Sequence, residues 1–244
     1  MRKLFFGLLF ILSLLFFLYL NFPFERFIES SLCKRGITAQ KVEFHRLPPE
    51  VVLKEVRAPA LPFPLELVRL KPSLNLKEFS YYCRVCKGEV EGKFTNPLTY
   101  FSFKAKGIEV GKCYGEKVKL EGKAAGEGYF KLKRGELTAG EGEVKGSSLK
   151  LKGVAFGLFQ AELLDLGEFK GSYRVIGKNL LELKGKGSGR DADYELSGSL
   201  NFNPKRPGSS YLNLKITVKV KKEPLKGKSF TFNLRGSVNN LRLW

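Results

Sequence analysis

The chain has almost no histidine. Of its 244 residues one is His, one is Met, one is Trp and four are Cys. A Ser-His-Asp or Cys-His nucleophile would have to use His45, which sits beside Pro48-Pro49 in a turn, where a plain surface residue is the simpler reading. The cysteines are Cys33, Cys83, Cys86 and Cys113. Cys83-Arg-Val-Cys86 is a CxxC, but no second pair or His cluster completes a zinc set. A thioredoxin-like motif needs a helix N-terminus after a strand, whereas YYCRVCKGEVEGKF reads as strand throughout. Structural disulfides among Cys33, Cys83, Cys86 and Cys113 are therefore the first expectation, inert thiols the second, and redox or metal chemistry the last.

Acidic side chains are also few, 24 against 43 Lys and Arg, for a net charge of +19. The surplus could serve nucleic acid or anionic lipid. It is spread thinly, however, with no run of five like charges and with Lys recurring at every second position (Lys117, Lys119; Lys150, Lys152; Lys219, Lys221), as on a solvated strand face. Aromatic interleaving for nucleic acid is absent, so no such partner is expected. Other candidate chemistry dissolves on inspection. Glu141 and Glu143 share a strand face with Lys145 and read as a solvated row. Gly227-Lys-Ser229 lacks the upstream Gly of a P-loop. The glycine-rich 185–189 stretch feeds a hairpin and no helix N-terminus. The expectation is a chain with no catalytic residue, no metal and no cofactor.

What the sequence does have is one long apolar run at its start. Leu4, Phe5, Phe6, Leu8, Leu9, Phe10, Ile11, Leu12, Leu14, Leu15, Phe16, Phe17 and Leu18 are interrupted only by Gly7 and Ser13, with Arg2 and Lys3 before them. Roughly 20 apolar residues suffice to cross a bilayer as a helix. No small-x-small cleavage site follows, so an uncleaved signal anchor over 1–22 is expected in preference to a removed signal peptide. A short N-terminal tail usually stays in the cytoplasm, which gives N-in, C-out: a single-pass inner-membrane protein with its remainder in the periplasm. Pro23 then starts a short amphipathic helix over 23–36. It carries Phe24, Phe27, Ile28 and Leu32 on one face and stops at Gly36. That helix lies either on the membrane surface or across an open end of the following sheet.

From Ile37 the period changes to two. Strands are expected over 37–44, 51–56, 65–70, 81–94, 100–108, 117–123, 128–133, 136–143, 148–154, 169–176, 180–186, 192–202, 211–221 and 229–238. One or two helical turns are expected at Ser73–Phe79, and a short helix is possible at Phe156–Leu166. Hairpin joints fall at Lys133-Arg134-Gly135, Gly177-Lys178-Asn179 and Gly187–Asp191. Alternation is cleanest in LNLKITVKV, where Leu212, Leu214, Ile216, Val218 and Val220 form a candidate apolar sheet face. The fold class is mainly β. An N-terminal transmembrane helix precedes an elongated, twisted antiparallel meander over 37–244, with one short amphipathic helix after the anchor. No long helix covers the apolar side, so the sheet must fold on itself, close, or stay open as a trough.

The segment DADYELSGSLNFNPKRPGSSYLNLKITVKV (Asp191–Val220) resembles the type II secretion system protein N (GspN) family. There a polar strand ends in a Gly-Ser or Gly-Thr step, a Pro-containing joint follows, and then an alternating Leu-rich strand. FTFNLRGSVNNLRLW (Phe230–Trp244) looks like that family's closing strands, with Asn240 where such proteins carry Pro. VRLKPSLNLKEF (Val68–Phe79) resembles an element of the wider AsmA-like group. The resemblance implies a non-enzymatic, inner-membrane accessory or assembly component of the type II protein secretion system, with other secretion subunits as partners. The AsmA-like relation implies the alternative, a lipid-binding or intermembrane lipid-transport protein with an apolar trough and phospholipid as its partner.

Overall fold

The structure is a computed structural model that describes residues 13–243, except 60, 62, 74, 115–119, 157–158, 205, 224 and 238–239. Fourteen strands form one antiparallel sheet, ordered in space as they are in sequence. They are β1 (Lys41–Arg46), β2 (Pro49–Val56), β3 (Leu65–Pro72), β4 (Glu78–Val85), β5 (Gly88–Thr95), β6 (Tyr100–Glu109), β7 (Leu120–Lys133), β8 (Glu136–Phe156), β9 (Phe159–Gly177), β10 (Leu180–Ser188), β11 (Ala192–Asn201), β12 (Tyr211–Val220), β13 (Ser229–Ser237) and β14 (Asn240–Leu243). The first and last strands do not pair, so the sheet is open.

The turns explain the meander. Cys86 and Lys87 (φ 50° and 62°), and Arg134 and Gly135 (53° and 79°), occupy the left-handed region that two-residue hairpins require. Asn179 at φ 57° does the same between β9 and β10, where its side-chain oxygen also accepts from the Leu137 N–H at 2.8 Å. The Cys86-Lys87 hairpin divides the expected single strand 81–94 into β4 and β5. Conversely, the described part of 117–123, from Leu120, is joined with 128–133 in β7 (117–119 lie outside the described residues), and 136–143 with 148–154 in β8. A register shift beside Ser148 (φ 52°) marks β8 where two strands were expected.

Two expected helices do not form among the described residues. At Ser73–Phe79 the Ser73 hydroxyl donates to Asn75 Oδ1 at 2.6 Å and the Lys77 N–H donates to the same oxygen at 3.0 Å. Short polar side chains thus bind the local backbone as a turn, and β4 begins at Glu78. The interlude 156–166 instead runs into β9, whose Leu163 and Leu164 sit opposite Lys152 and Leu151 of β8. A short, mostly apolar stretch broken only by Gln160, Glu162 and Asp165 fits neither period cleanly, so helix and strand are not separated by pattern alone.

Residues 13–21 are helical and here labelled α1. Among the described residues no helix is long and apolar enough to cross a membrane. Leu4, Phe5, Phe6, Leu8, Leu9, Phe10, Ile11 and Leu12 lie outside the described residues, while Leu14, Leu15, Phe16, Phe17 and Leu18 are all exposed. The helix α2 (Phe24–Cys33) ends at Gly36 (φ 71°), with Ile37 N–H donating to Leu32 O and Gly36 N–H to Cys33 O. Of the two placements open for it, the structure shows contact with the sheet. Ile28 and Leu32 pack on Leu53, Val56 and Val68. The Phe24 ring lies 4.5 Å from that of Phe44, and the Tyr19 hydroxyl donates to Arg46 O at 2.7 Å.

Candidate functional site: the apolar face of the sheet

Strand alternation sends successive side chains to opposite faces, so cross-strand partners share a face. The register yields one row that crosses the whole sheet. It runs Phe44, Val51, Leu70, Tyr81, Gly92, Phe103, Gly128, Gly142, Tyr173, Leu183, Gly198, Leu214 and Leu234, and continues in register to Leu243. Every member is apolar, aromatic or glycine. The row beside it begins Val42, Leu53, Val68, Cys83, Val90 and ends Leu196, Ile216, Phe232, again with no charge. On the reverse face the row through Arg69, Tyr82, Glu91, Lys104, Glu127, Glu143, Ser172 and Lys184 is polar throughout.

The glycines of the apolar rows have a packing role. Tyr173 lies across Gly142 and Gly128 and stacks on Phe130 at 5.0 Å, with Phe103 at 6.3 Å. A Cβ at Gly142 would meet the Tyr173 ring and the Glu127 carbonyl oxygen at 2.5 Å each, so only glycine fits beneath the ring. Phe169 covers Gly171 and Gly185 in the same way, and Tyr81 covers Gly92. The aromatic layer continues through Phe79–Phe94 at 5.2 Å and Tyr81–Phe101 at 5.4 Å.

This layer half-buries itself but is not covered. Thirteen apolar side chains are buried among the described residues, and none of the large ones is below 2 % exposure. The accessible surface is 16756 Å², against roughly 11,000 Å² for a compact monomer of this mass. The exposed helix α1 accounts for part of the excess, and a single-layer sheet with an uncovered apolar face adds to it. The face is also electrically quiet. Burial raises the Tyr81 and Tyr173 phenols well above their usual range, Tyr194 to about 12 and the Cys83 thiol to about 11. None of these four groups carries charge at neutral pH.

The expected face on β12 lies within these rows. Leu212, Leu214, Ile216 and Val218 are half-buried, paired with Leu200, Gly198, Leu196 and Tyr194 of β11, while Val220 is buried opposite Ala192. The longer row was not recognised from sequence. Its signal was Gly-x-Gly with a charged middle residue, in Gly126-Glu127-Gly128, Gly140-Glu141-Gly142 and Gly185-Lys186-Gly187.

The cysteines divide. Cys86 and Cys113 form a disulfide, while Cys33 is exposed and Cys83 half-buried, both as free thiols. The expectation of disulfides is thus corrected for two of the four. Residues three apart on a strand point to opposite faces, so the CxxC spacing holds Cys83 on the apolar face and Cys86 at the turn. The bond closes a 27-residue separation, for which chain entropy gives about 3.5 kcal/mol. A Cys86→Ala/Cys113→Ala chain is expected to lose about that much in urea unfolding; unchanged stability would mean the bond does not form. At pH 8 a thiol whose pKa is about 11 is thiolate in roughly one part in a thousand. Iodoacetamide should therefore modify exposed Cys33 first, and Cys83 about tenfold faster per pH unit between 8 and 10. Equal rates for both thiols at pH 8 would contradict the burial.

His45 is exposed, its Nε2 3.9 Å from the Glu43 carboxylate. Among the described residues no group of three or more His, Cys, Asp or Glu side chains could hold a metal ion. The chain matches no protein-family model, no curated protein and no solved structure.

Proposed function

We propose that this is a non-enzymatic, membrane-anchored protein of the cell envelope that holds phospholipid acyl chains along the apolar face of its sheet. The observation that carries the reading is the uncharged row with one residue from each strand. Fourteen strands at about 4.8 Å spacing give it a length of roughly 60 Å. An acyl chain would gain at its apolar contacts about 25 cal/mol for each Å² removed from water. The apolar run 4–20 supplies the anchor, with the N-terminus in the cytoplasm and the sheet in the periplasm. The Cys86–Cys113 disulfide suits that oxidising compartment. Contact between α2 and the β1–β3 end of the face joins the anchor to the trough without a long linker.

A second reading, an accessory component of the type II secretion system, rests on the resemblance in the last sixty residues and on one structural feature. Strand β14 pairs only with β13, leaving an edge to which a partner subunit could add a strand. Native mass spectrometry of the full chain released from a mild detergent separates the two. Near-stoichiometric phospholipid is the expected result. A lipid-free mass would overturn the trough and leave the secretion reading in front.

A further inference from the structure

The polar face of the sheet holds an arrangement that neither reading uses. On β8, β9 and β10 the register sets Lys145 opposite Lys170 and Lys170 opposite Lys186. Three ammonium-bearing stems therefore stand in line at about 4.8 Å strand spacing. Like charges directly opposite are unfavourable in a sheet. Several cations elsewhere on this face are met by carboxylates instead. Lys104 pairs with Glu127 at 3.5 Å, Arg174 with Glu141 at 3.8 Å and Lys152 with Glu121 at 2.6 Å. The other opposed pair of lysines, Lys41 and Lys54, shares Glu43 at 2.7 and 3.3 Å. Among the described residues, Lys145, Lys170 and Lys186 have no ion pair at all. They line a cleft of about 620 Å³ whose other polar walls are Lys184, Lys215, the hydroxyls of Ser172, Ser197 and Thr217, and the carboxylates Glu143 and Glu195, the latter opposite Lys186, so five lysines outnumber two carboxylates there.

We propose that this cleft binds a multivalent phosphate anion. The volume is that of a small-molecule site. Aligned lysines with nearby hydroxyls supply charge-assisted donors to phosphate oxygens, and a bound anion with two or more charges relieves the repulsion between the opposed stems. The phosphate could belong to a soluble molecule or to the headgroup of a lipid; the recognising chemistry is the same. The site lies on the face opposite the acyl-binding rows and stands or falls independently of them.

The test is calorimetric titration of the full chain in maltoside micelles at low salt, with inorganic pyrophosphate and, separately, dihexanoyl phosphatidate. Saturable binding of either is expected, weakening as salt is raised. Tighter pyrophosphate binding identifies a soluble ligand, and tighter phosphatidate binding a headgroup. The triple variant Lys145→Gln/Lys170→Gln/Lys186→Gln should bind at least about tenfold more weakly, the loss of charged hydrogen bonds to an anion. It should also melt at a higher temperature, because the repulsion is gone. The control Lys93→Gln/Lys131→Gln, which removes two positive charges elsewhere on the polar face, should bind as the unaltered chain does. Absence of saturable binding by both probes overturns the proposal. So does equal weakening in the control, which would reduce the effect to net charge.

Discussion

Leu214→Asp/Leu234→Asp is expected to strip nearly all co-purifying phospholipid from the full chain while leaving it folded. The two residues are directly opposed on β12 and β13 in the long apolar row. Both are half-buried with no layer above them. A carboxylate there can still reach water, so the cost to folding should stay near 1 kcal/mol per site. An acyl chain laid on the row would have to desolvate both charges without offering a partner, which is far more costly than any contact it regains. The contrasting variant is Leu181→Asp. Leu181 is 5 % exposed in a cluster with Leu137 and Tyr173, and a charge in that setting should cost at least about 3 kcal/mol of stability. Native mass spectra and urea melts of the two proteins then separate a binding surface from a core. Full lipid retention in the double variant would sink the trough. Equal unfolding of both proteins would mean that the β12–β13 face is core.

Gly142→Val should destabilise the sheet by about 3 kcal/mol, the upper end of the range for forcing bulk into a packed site. That is roughly 6 to 12 °C in melting temperature for a chain of this size. The new side chain would occupy the space in which Tyr173 lies across Gly142 and Gly128, and a carbonyl oxygen as well as the ring stands in its way. Tyr173 would have to lift, losing its stack on Phe130 and its contact with Leu137 and Leu181. Gly177→Ala, near the end of β9, meets nothing closer than Leu180 Cβ at 3.8 Å and should be neutral. Matching melting temperatures for the two variants would show that the ring does not need the glycine.

The strands were legible wherever polar and apolar residues alternate, as in Leu212–Val220 and Phe230–Gly236, because the period of two is the signature of a half-exposed face. Legibility failed in two physical circumstances. Where apolar residues dominate without a clean alternation, as in Phe156–Leu166 with only Gln160, Glu162 and Asp165 polar, the period is ambiguous, and only the pairing with β8 decides for strand. Where the turn residues are not Gly, Asn or Pro, as at Cys86-Lys87, the hairpin is hidden inside an apparent single strand. The candidate face was visible on one strand alone. Its extension depends on register, which places Tyr81 beside Gly92 and Tyr173 beside Gly142, and register is a property of pairs of strands. The lysine line is illegible for the same reason: Lys145, Lys170 and Lys186 are 25 and 16 residues apart in the chain and become neighbours only through two hairpins.

Because each strand pairs only with those before and after it in sequence, the sheet is close to a one-dimensional chain of hairpins. Cooperativity in such an array passes from neighbour to neighbour and depends little on closing long loops. Adding or removing one hairpin changes two interfaces and lengthens or shortens the row by about 10 Å. The apolar face is then a ruler whose span is set by strand count. A lineage could fit it to a wider or narrower gap by duplicating hairpins, with no redesign of those already there.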